Sequence, residues 1–467
     1  MKITFHGAAG HVTGSKHLIS LTNGKKILLD CGMSQGEGED TEPLNNDWGF
    51  NPKDINHIVL SHAHIDHSGL IPKLVKDGFR GRVWATSGTA DLSEILLLNS
   101  AEIQTSDVRF INKRRAKENK PPIEPLYNEE DARKAIQHFE VLDYNESRKI
   151  EEDIELQFFN VGHIVGAVTV FLTIKENGGY TRIAYSGDVG RYGDPILKSP
   201  QRFPQADFVI IESTYGDKLH QEVDTYANEL KRHIEETCMG KGGKLIIPAF
   251  SVGRTQELLF GLNELEENGV LPPIKYYVDS PLSIEATEIV KRHTECFNKS
   301  VIRLMRFDPD PFEFKGLRYV KDVEESKSLN GKHDPCVIIS ASGMADAGRV
   351  KHHILNNIEN KRNTIMLVGY CEPNSLGARL KQRPEEVTIF GERLKVSADI
   401  RTIDSMSAHA DYDDLSQYLA CQDPERVKRI FIVHGEPEVQ EAFRKRLIKK
   451  GFDDVHIPKM HEEIGLG

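Results

Sequence analysis

The sequence predicts an α/β protein built on mixed sheets, with a second α/β unit inserted into the first. Three observations predict this. Short apolar runs rich in β-branched residues alternate with amphipathic stretches of helical period. The early strands follow one another closely, which makes part of the sheet antiparallel. The middle third then repeats the strand–helix alternation. In chain order the clearest strands are Lys26–Leu29 (KILL), His57–Leu60 (HIVL), Val168–Ile174 (VTVFLTI), Arg182–Tyr185 (RIAY), Phe208–Ile211 (FVII) and Ile430–Val433 (IFIV). Between them lie helical stretches at Ala90–Ile103, Glu129–Phe139, Thr225–Cys238, Thr255–Glu267 and Ala345–Asn357. Lys244–Pro248 (KLIIP), Thr255–Glu267, Ile274–Val278 and Val337–Ser340 make up the inserted unit, expected over residues 215–388. Residues 1–214 and 389–467 are then two parts of one interrupted domain.

Composition bounds the function. The 467 residues correspond to two or three domains at roughly 150 residues each. A hydrophobic content of 39% is enough for a large core and excludes wholesale disorder. A mean hydropathy of −0.44, with no apolar run near the ~18 residues of a span, predicts no membrane partner. MKITFHGAAG has no apolar signal core, so no signal peptide is expected. Six scattered Cys without a CxxC pair fit a reducing cytoplasm and exclude a cysteine zinc module. The formal charge of −11 counts against a broad nucleic-acid-binding face.

Several apolar runs end in a residue able to bind a metal or carry a proton. KILL leads to Asp30, HIVL to Ser61-His62, IAYSG to Asp188, FVII to Glu212 and IFIV to His434. Ligands of α/β sheets bind at the carboxyl ends of strands, where loops converge over a rigid edge. One such acid reads equally well as a helix cap; five together do not. The strongest signal is His62-Ala-His64-Ile-Asp66-His67, three imidazoles and a carboxylate within six residues. Such donors suit Zn²⁺, Fe²⁺ or Mn²⁺, with Zn²⁺ usual in hydrolytic sites. Four ligands do not complete two sites, and His163 and Asp188 are the candidates to complete them.

These residues carry a resemblance. Asp30, the HxHxDH run at 62–67, His163 and Asp188 resemble the four motifs of the metallo-β-lactamase fold. Glu212 in IIESTYG, His409 in SAHA and His434 in VHG resemble motifs A, B and C of its β-CASP subgroup. That subgroup contains nucleic-acid-processing nucleases, among them ribonuclease J and the endonuclease subunit of the cleavage and polyadenylation machinery. The chain is similar over nearly its whole length to the compact bacterial and archaeal members. The resemblance implies an αββα sandwich with mixed sheets plus an inserted α/β β-CASP domain. A His at motif C, here His434, implies RNA rather than DNA.

The family pattern implies His62, His64 and His163 on one zinc, Asp66, His67 and His434 on the other, and Asp188 bridging. Asp30 would orient a ligand histidine. Paired ions would acidify a bridging water to hydroxide, which attacks phosphorus in line and leaves 5′-phosphate and 3′-hydroxyl ends. His409 would protonate the leaving 3′-oxygen, aligned by Glu212; the alternative for that pair is a structural salt bridge. Loops around Ser251 and Arg254, around Ser340, Ser342 and Gly343, and around Ser375 and Arg379 resemble β-CASP loops suited to phosphate. Each also reads as a turn or helix cap. In the last loop Cys371 and Ser375 stand where the family more often has Gln and Thr. The basic run Arg109–Lys120, six Lys/Arg against one Glu, reads first as a solvated helical hairpin and second as a grip on RNA.

The expected function is thus a zinc-dependent cytoplasmic ribonuclease, with two Zn²⁺ per chain, or Mn²⁺ or Fe²⁺ in their place. The expected partners are RNA, held in the cleft between the domains, and a second copy in a homodimer. The competing classes are a small-molecule hydrolase of the same fold, acting on a lactone, thioester or cyclic phosphodiester, and a non-catalytic partner subunit. Two zincs and a hydroxide would bring −11 to about −8 and concentrate anion attraction locally.

Overall fold

The computed structural model describes residues 1–466 except Glu37, 221–225, Tyr370, Pro373 and 404–405, and Glu39 by its backbone alone. It divides into two units, residues 1–219 with 409–467, and residues 220–408.

The first unit holds two seven-stranded sheets. One contains β1 (Lys2–Phe5), β2 (His17–Ser20), β3 (Lys26–Leu29), β4 (His57–Val59), β5 (Arg82–Ala85), β6 (Phe139–Val141) and, beside β1, β22 (Glu463–Gly465). The other contains β7 (Ser147–Glu151), β8 (Ile154–Asn160), β9 (Val168–Glu176), β10 (Gly179–Tyr185), β11 (Phe208–Ile211), β20 (Arg429–Ile432) and β21 (Val455–His456). Each begins antiparallel through short hairpins and turns parallel where longer connections intervene, at β3–β4 and at β10–β11. The period of two sorts the side chains. Ile27 and Leu29 of β3 join Phe158, Leu172, Ile183 and Phe431 in one core, whereas Leu28 packs with Leu70, Leu74 and Leu97 in another. On the far side of the second sheet, Thr169 of β9 hydrogen-bonds Tyr418 of the helix Tyr412–Leu419 at 2.8 Å. This is the helix–sheet–sheet–helix sandwich the sequence predicts.

The second unit is built on β12 (Lys244–Pro248), β13 (Lys275–Val278), β14 (Leu317–Tyr319), β15 (Cys336–Ser340), β16 (Thr364–Val368) and β19 (Asp399–Ile403). They form one sheet, parallel throughout, in the order β14-β13-β15-β12-β16-β19. β12 and β15 are buried along their whole length, which is why they read as unbroken apolar runs. β17 (Glu386–Ile389) and β18 (Glu392–Lys395) form a separate hairpin.

The expected boundaries need correction. The units divide at 219/220 and 408/409, rather than at 214/215 and 388/389. Tyr215 bridges to Asp411, and Tyr412 N–H donates to Lys218 O, so residues 215–219 stay with the first unit. β19 pairs with β16, so the inserted sheet continues past residue 388. Helix ends differ as well. The predicted Ala90–Ile103 is a helix from Ser87 to Lys117, Glu129–Phe139 stops at Ile136, and Ala345–Asn357 starts at Gly348. For Thr225–Cys238 the helix is Tyr226–Ile234, followed by a π-helical turn over Glu235–Gly240; Thr225 lies outside the described residues.

Candidate metal centre

The carboxyl ends of β3, β4, β10, β11 and β20 bring Asp30, His62, Asp188, Glu212 and His434 together, all buried. Two backbone features allow this crowding. Asp30 and His434 both have left-handed φ, 57° and 53°, held by Asp30 N–H to Val59 O and His434 N–H to Ala8 O. Gly187, before Asp188, has φ 54°, and a Cβ there would lie 2.6 Å from Ser61 Cβ. His64, Asp66 and His67 enter on or just before the short helix Ile65–Ser68, and His163 on the loop between β8 and β9.

The donors form two sets that share Asp188. In the first, His62 Nε2 is 3.1 Å from His64 Nδ1, and His163 Nε2 is 3.2 Å from the same atom. Asp188 Oδ2 lies 3.5 Å from His62 Nε2 and 3.6 Å from His163 Nε2. In the second, His67 Nε2 is 3.3 Å from His434 Nε2, and Asp66 Oδ2 is 3.3 Å from that nitrogen. Asp188 Oδ1 is 3.2 Å from His67 Nε2. Each set places its ligand atoms within 4.8 Å of one another.

This arrangement fits metal ions. Four ligands about 2.0–2.1 Å from a zinc stand about 3.3 Å apart along the edges of a tetrahedron, close to the separations above. Asp188 Oδ1 is buried and accepts no well-aligned hydrogen bond among the described residues, which is costly for a carboxylate unless a cation faces it.

The electrostatics agree. Burial, reinforced by neighbouring imidazoles, holds His62 well below its ordinary value; burial lowers His64 to about 4. Against the penalty of burial, His67 and His434 hold Asp66 down at about 2. Asp188 is likewise lowered, with burial opposed by His434, His67 and His62. Neutral imidazoles beside ionised carboxylates are the protonation states metal ligands need. His67 differs: burial lowers it, but Asp188, Asp66 and Asp30 raise it well above its usual value. A proton on His67 thus supplies the positive charge these carboxylates demand, a role a bound cation would take over.

A surrounding layer fixes the ligands. Asp30 accepts from Ser61 N–H, Ser61 O–H, His67 Nδ1–H and Tyr185 O–H, each at 2.7 Å. It therefore holds the His67 ring through Nδ1. Thr214 Oγ1 lies 3.0 Å from His434 Nδ1. Ser61, Tyr185 and Thr214 were not singled out from the sequence as supports of the ligands. Tyr185 closes an apolar run and reads as core, and Thr214 lies inside the motif that contains Glu212; the contacts of Tyr185 with Asp30 and of Thr214 with His434 leave no mark in the sequence.

Glu212 and His409 form a third group with Asp188. His409 Nδ1 is 3.3 Å from each Glu212 oxygen. Glu212 is itself pinned by Val189 N–H at 2.6 Å. Burial would lower His409, but the Glu212 carboxylate, with Asp188 and Asp66, raises it to about 9.

The expected phosphate residues lie in the second unit. Ser251 and Arg254 follow β12, and Ser340, Ser342 and Gly343 end or follow β15, all at the carboxyl edge of the parallel sheet. Several are engaged locally. Ser340 Oγ donates to Asp279 O at 2.7 Å, Arg254 is ion-paired with Glu257, and Ser375 Oγ caps the helix Leu376–Lys381. Arg379 is exposed on that helix, and Tyr370 of the same loop lies outside the described residues.

Comparison with known proteins agrees with this geometry. Residues 17–231 match the metallo-beta-lactamase superfamily, 255–380 the Beta-Casp domain, and 393–458 the Zn-dependent metallo-hydrolase RNA specificity domain. The chain is 35% identical to Ribonuclease TTHA0252 of Thermus thermophilus, over 99% of this chain and 100% of that protein. An RNase J-like protein of Methanocaldococcus jannaschii is 30% identical over 93% of this chain and 92% of its own length. Transcription termination factor FttA of Methanosarcina mazei is 30% identical over 96% of this chain and 69% of that protein. With its sandwich, its inserted parallel sheet and its clustered His and Asp side chains, the chain belongs to the β-CASP ribonucleases of the metallo-β-lactamase superfamily.

Proposed function

We propose that this protein is a zinc-dependent ribonuclease that hydrolyses RNA phosphodiester bonds and leaves 5′-phosphate and 3′-hydroxyl ends. The observation that carries the reading is the pair of donor sets sharing Asp188, one carboxylate oxygen toward each. Ribonuclease names among the relatives support the substrate class. His62, His64, His163 and Asp188 would hold one zinc, and Asp66, His67, His434 and Asp188 the other. Paired ions, when bound, supply acidified water at neutral pH and positive charge against the phosphate.

The chain's own residues do the rest. Asp30 fixes the His67 tautomer so that Nε2 faces the cluster, and Thr214 does the same for His434. Glu212 holds the His409 ring and favours its protonated form, which places a proton donor beside Asp188 for the departing 3′-oxygen. The cytoplasm is the proposed compartment; no two of the described cysteines form a disulfide, and no described helix is long and apolar enough to cross a membrane.

The test pairs metal analysis with cleavage of end-labelled RNA. Two zincs per chain, with ends that ligate through a 5′-phosphate, support the reading. Zinc uptake without RNA cleavage, alongside hydrolysis of a lactone, thioester or cyclic phosphodiester, would replace it with the small-molecule reading.

A further inference from the structure

The geometry points to a second RNA contact, remote from the metal ligands: the outer half of the helix Ser87–Lys117 is a stacking and phosphate-binding arm for single-stranded RNA. This rests on the ribonuclease reading and names where that substrate is gripped.

The helix has 31 residues, about 46 Å at 1.5 Å each. Its first turns belong to the sandwich. Thr86 caps it and donates to Gly166 O at 2.7 Å, in the loop that carries His163, while Leu92, Leu97 and Ala101 are buried. From Glu102 to Lys117 no residue is buried. A helix that buries no apolar stripe is marginal in water, so this half needs another support. The returning chain supplies it. Asn112 donates to Ile123 O and accepts from Ile123 N–H, both at 2.9 Å, and Arg115 Nε donates to Pro121 O at 2.7 Å. The brace occupies the inner face and leaves the outer face to solvent.

That outer face combines two chemistries. Phe110 is 76% exposed, and Ile103 lies one heptad before it on the same stripe. Lys113, Arg114 and Lys117 stand three, four and seven residues beyond Phe110, and Arg109 is adjacent, all exposed. Between residues 103 and 120 the acids are Asp107 and Glu118, and Glu118 is ion-paired with Arg114 and Lys120. An aromatic ring surrounded by cations matches a strand that presents both π faces and phosphates. A protein partner fits less well, because charged residues are depleted at the core of protein interfaces and here they surround the exposed ring. Phe110 lies about 35 Å along the helix from its start beside the His163 loop, equivalent to roughly ten stacked nucleotides at ~3.4 Å each. The arm therefore grips RNA well away from the bond being cut.

The test is fluorescence anisotropy of labelled single-stranded RNAs, from about 5 to about 25 nucleotides, with metal-stripped protein so that nothing is cleaved. The wild-type affinity should rise with length beyond roughly ten nucleotides. Phe110→Ala should lose about 5- to 100-fold on the long RNA, Phe110→Trp should retain affinity, and Phe110→Leu should behave as Ala. Lys113→Gln with Lys117→Gln should flatten the slope of log affinity against log salt by about 1.4. Circular dichroism checks that these surface variants fold. If wild type gains affinity with length and every variant matches it, the arm is overturned while the ribonuclease reading stands. Variants that change only the sedimenting mass would overturn the arm equally, and would assign the face to a second copy. Metal-stripped wild type that binds no RNA of any length overturns the arm, and zinc-loaded protein that cleaves no RNA overturns the ribonuclease reading.

Discussion

At the scale of single residues, the proposed function gives some groups the task of holding a metal and one that of moving a proton. His409, set against Glu212 at 3.3 Å, is the proposed proton donor. His409→Ala should keep the full metal content but lower kcat on RNA by about 10²–10⁴, the usual range for a lost general acid. Metal analysis and single-turnover cleavage on the same preparation decide this, and lost metal would make His409 a ligand instead. Thr214→Val removes the hydroxyl beside His434 Nδ1 at nearly constant volume. It should weaken metal affinity by about 10- to 100-fold, measured by competition with a chromogenic chelator. The ligand candidates were legible because His and Asp interrupt runs that are otherwise apolar, as at His62 and Asp188. Tyr185 and Thr214 were not, because a hydroxyl at a strand end looks the same whether it fills a core, caps a turn or bonds a ligand.

Elements show where periodicity informs and where it stops. β12 and β15 could be read directly, because strands buried on both faces are apolar except at their ends, at Lys244 and Ser340. The helix Ser87–Lys117 was read only to Ile103, since the apolar stripe ends at Ala101 and the rest is braced by polar side chains that leave no periodic signature. Turn glycines carry information of a different kind. Gly187→Ala would force a Cβ to 2.6 Å from Ser61 in a left-handed backbone. It should cost about 1–3 kcal/mol in urea unfolding and weaken metal binding through Asp188. In the inserted unit, Asp279 at the end of β13 accepts from Ser326 at 2.5 Å and from Arg349 and His353 at 2.6 Å. Burial alone would raise its pKa, but His353, Ser326 and Arg349 hold it below the ordinary 3.8. A carboxylate with a depressed folded pKa stabilises the fold fully above its unfolded value and loses that contribution as pH falls through the folded one. Asp279→Asn should therefore lower the melting temperature at pH 7, and its deficit should shrink below about pH 3.8.

At the scale of the whole molecule, the interrupted order of the chain determined which boundaries could be foreseen. The first sandwich is completed by β20, β21 and β22 from beyond the insertion, and the run IFIV ending in His434 announced that return. The end of the insertion was placed too early because Glu386–Lys395 is a polar hairpin that looks like a linker, and β19 rejoins the parallel sheet only after it. The charge of −11 is likewise reinterpreted. Asp30, Asp66 and Asp188 lie with the histidine cluster, so part of the acidic excess is buried where cations belong rather than spread against RNA. The ribonuclease activity proposed for this cluster depends on metal. It is tested most directly by stripping the protein of metal, reloading it with zinc in measured steps, and following cleavage of 5′-labelled RNA with the product ends identified. Cleavage should be absent in the stripped protein and rise to a maximum at two zincs per chain, with 5′-phosphate and 3′-hydroxyl products. Undiminished cleavage without metal, or 2′,3′-cyclic phosphate ends, would contradict it.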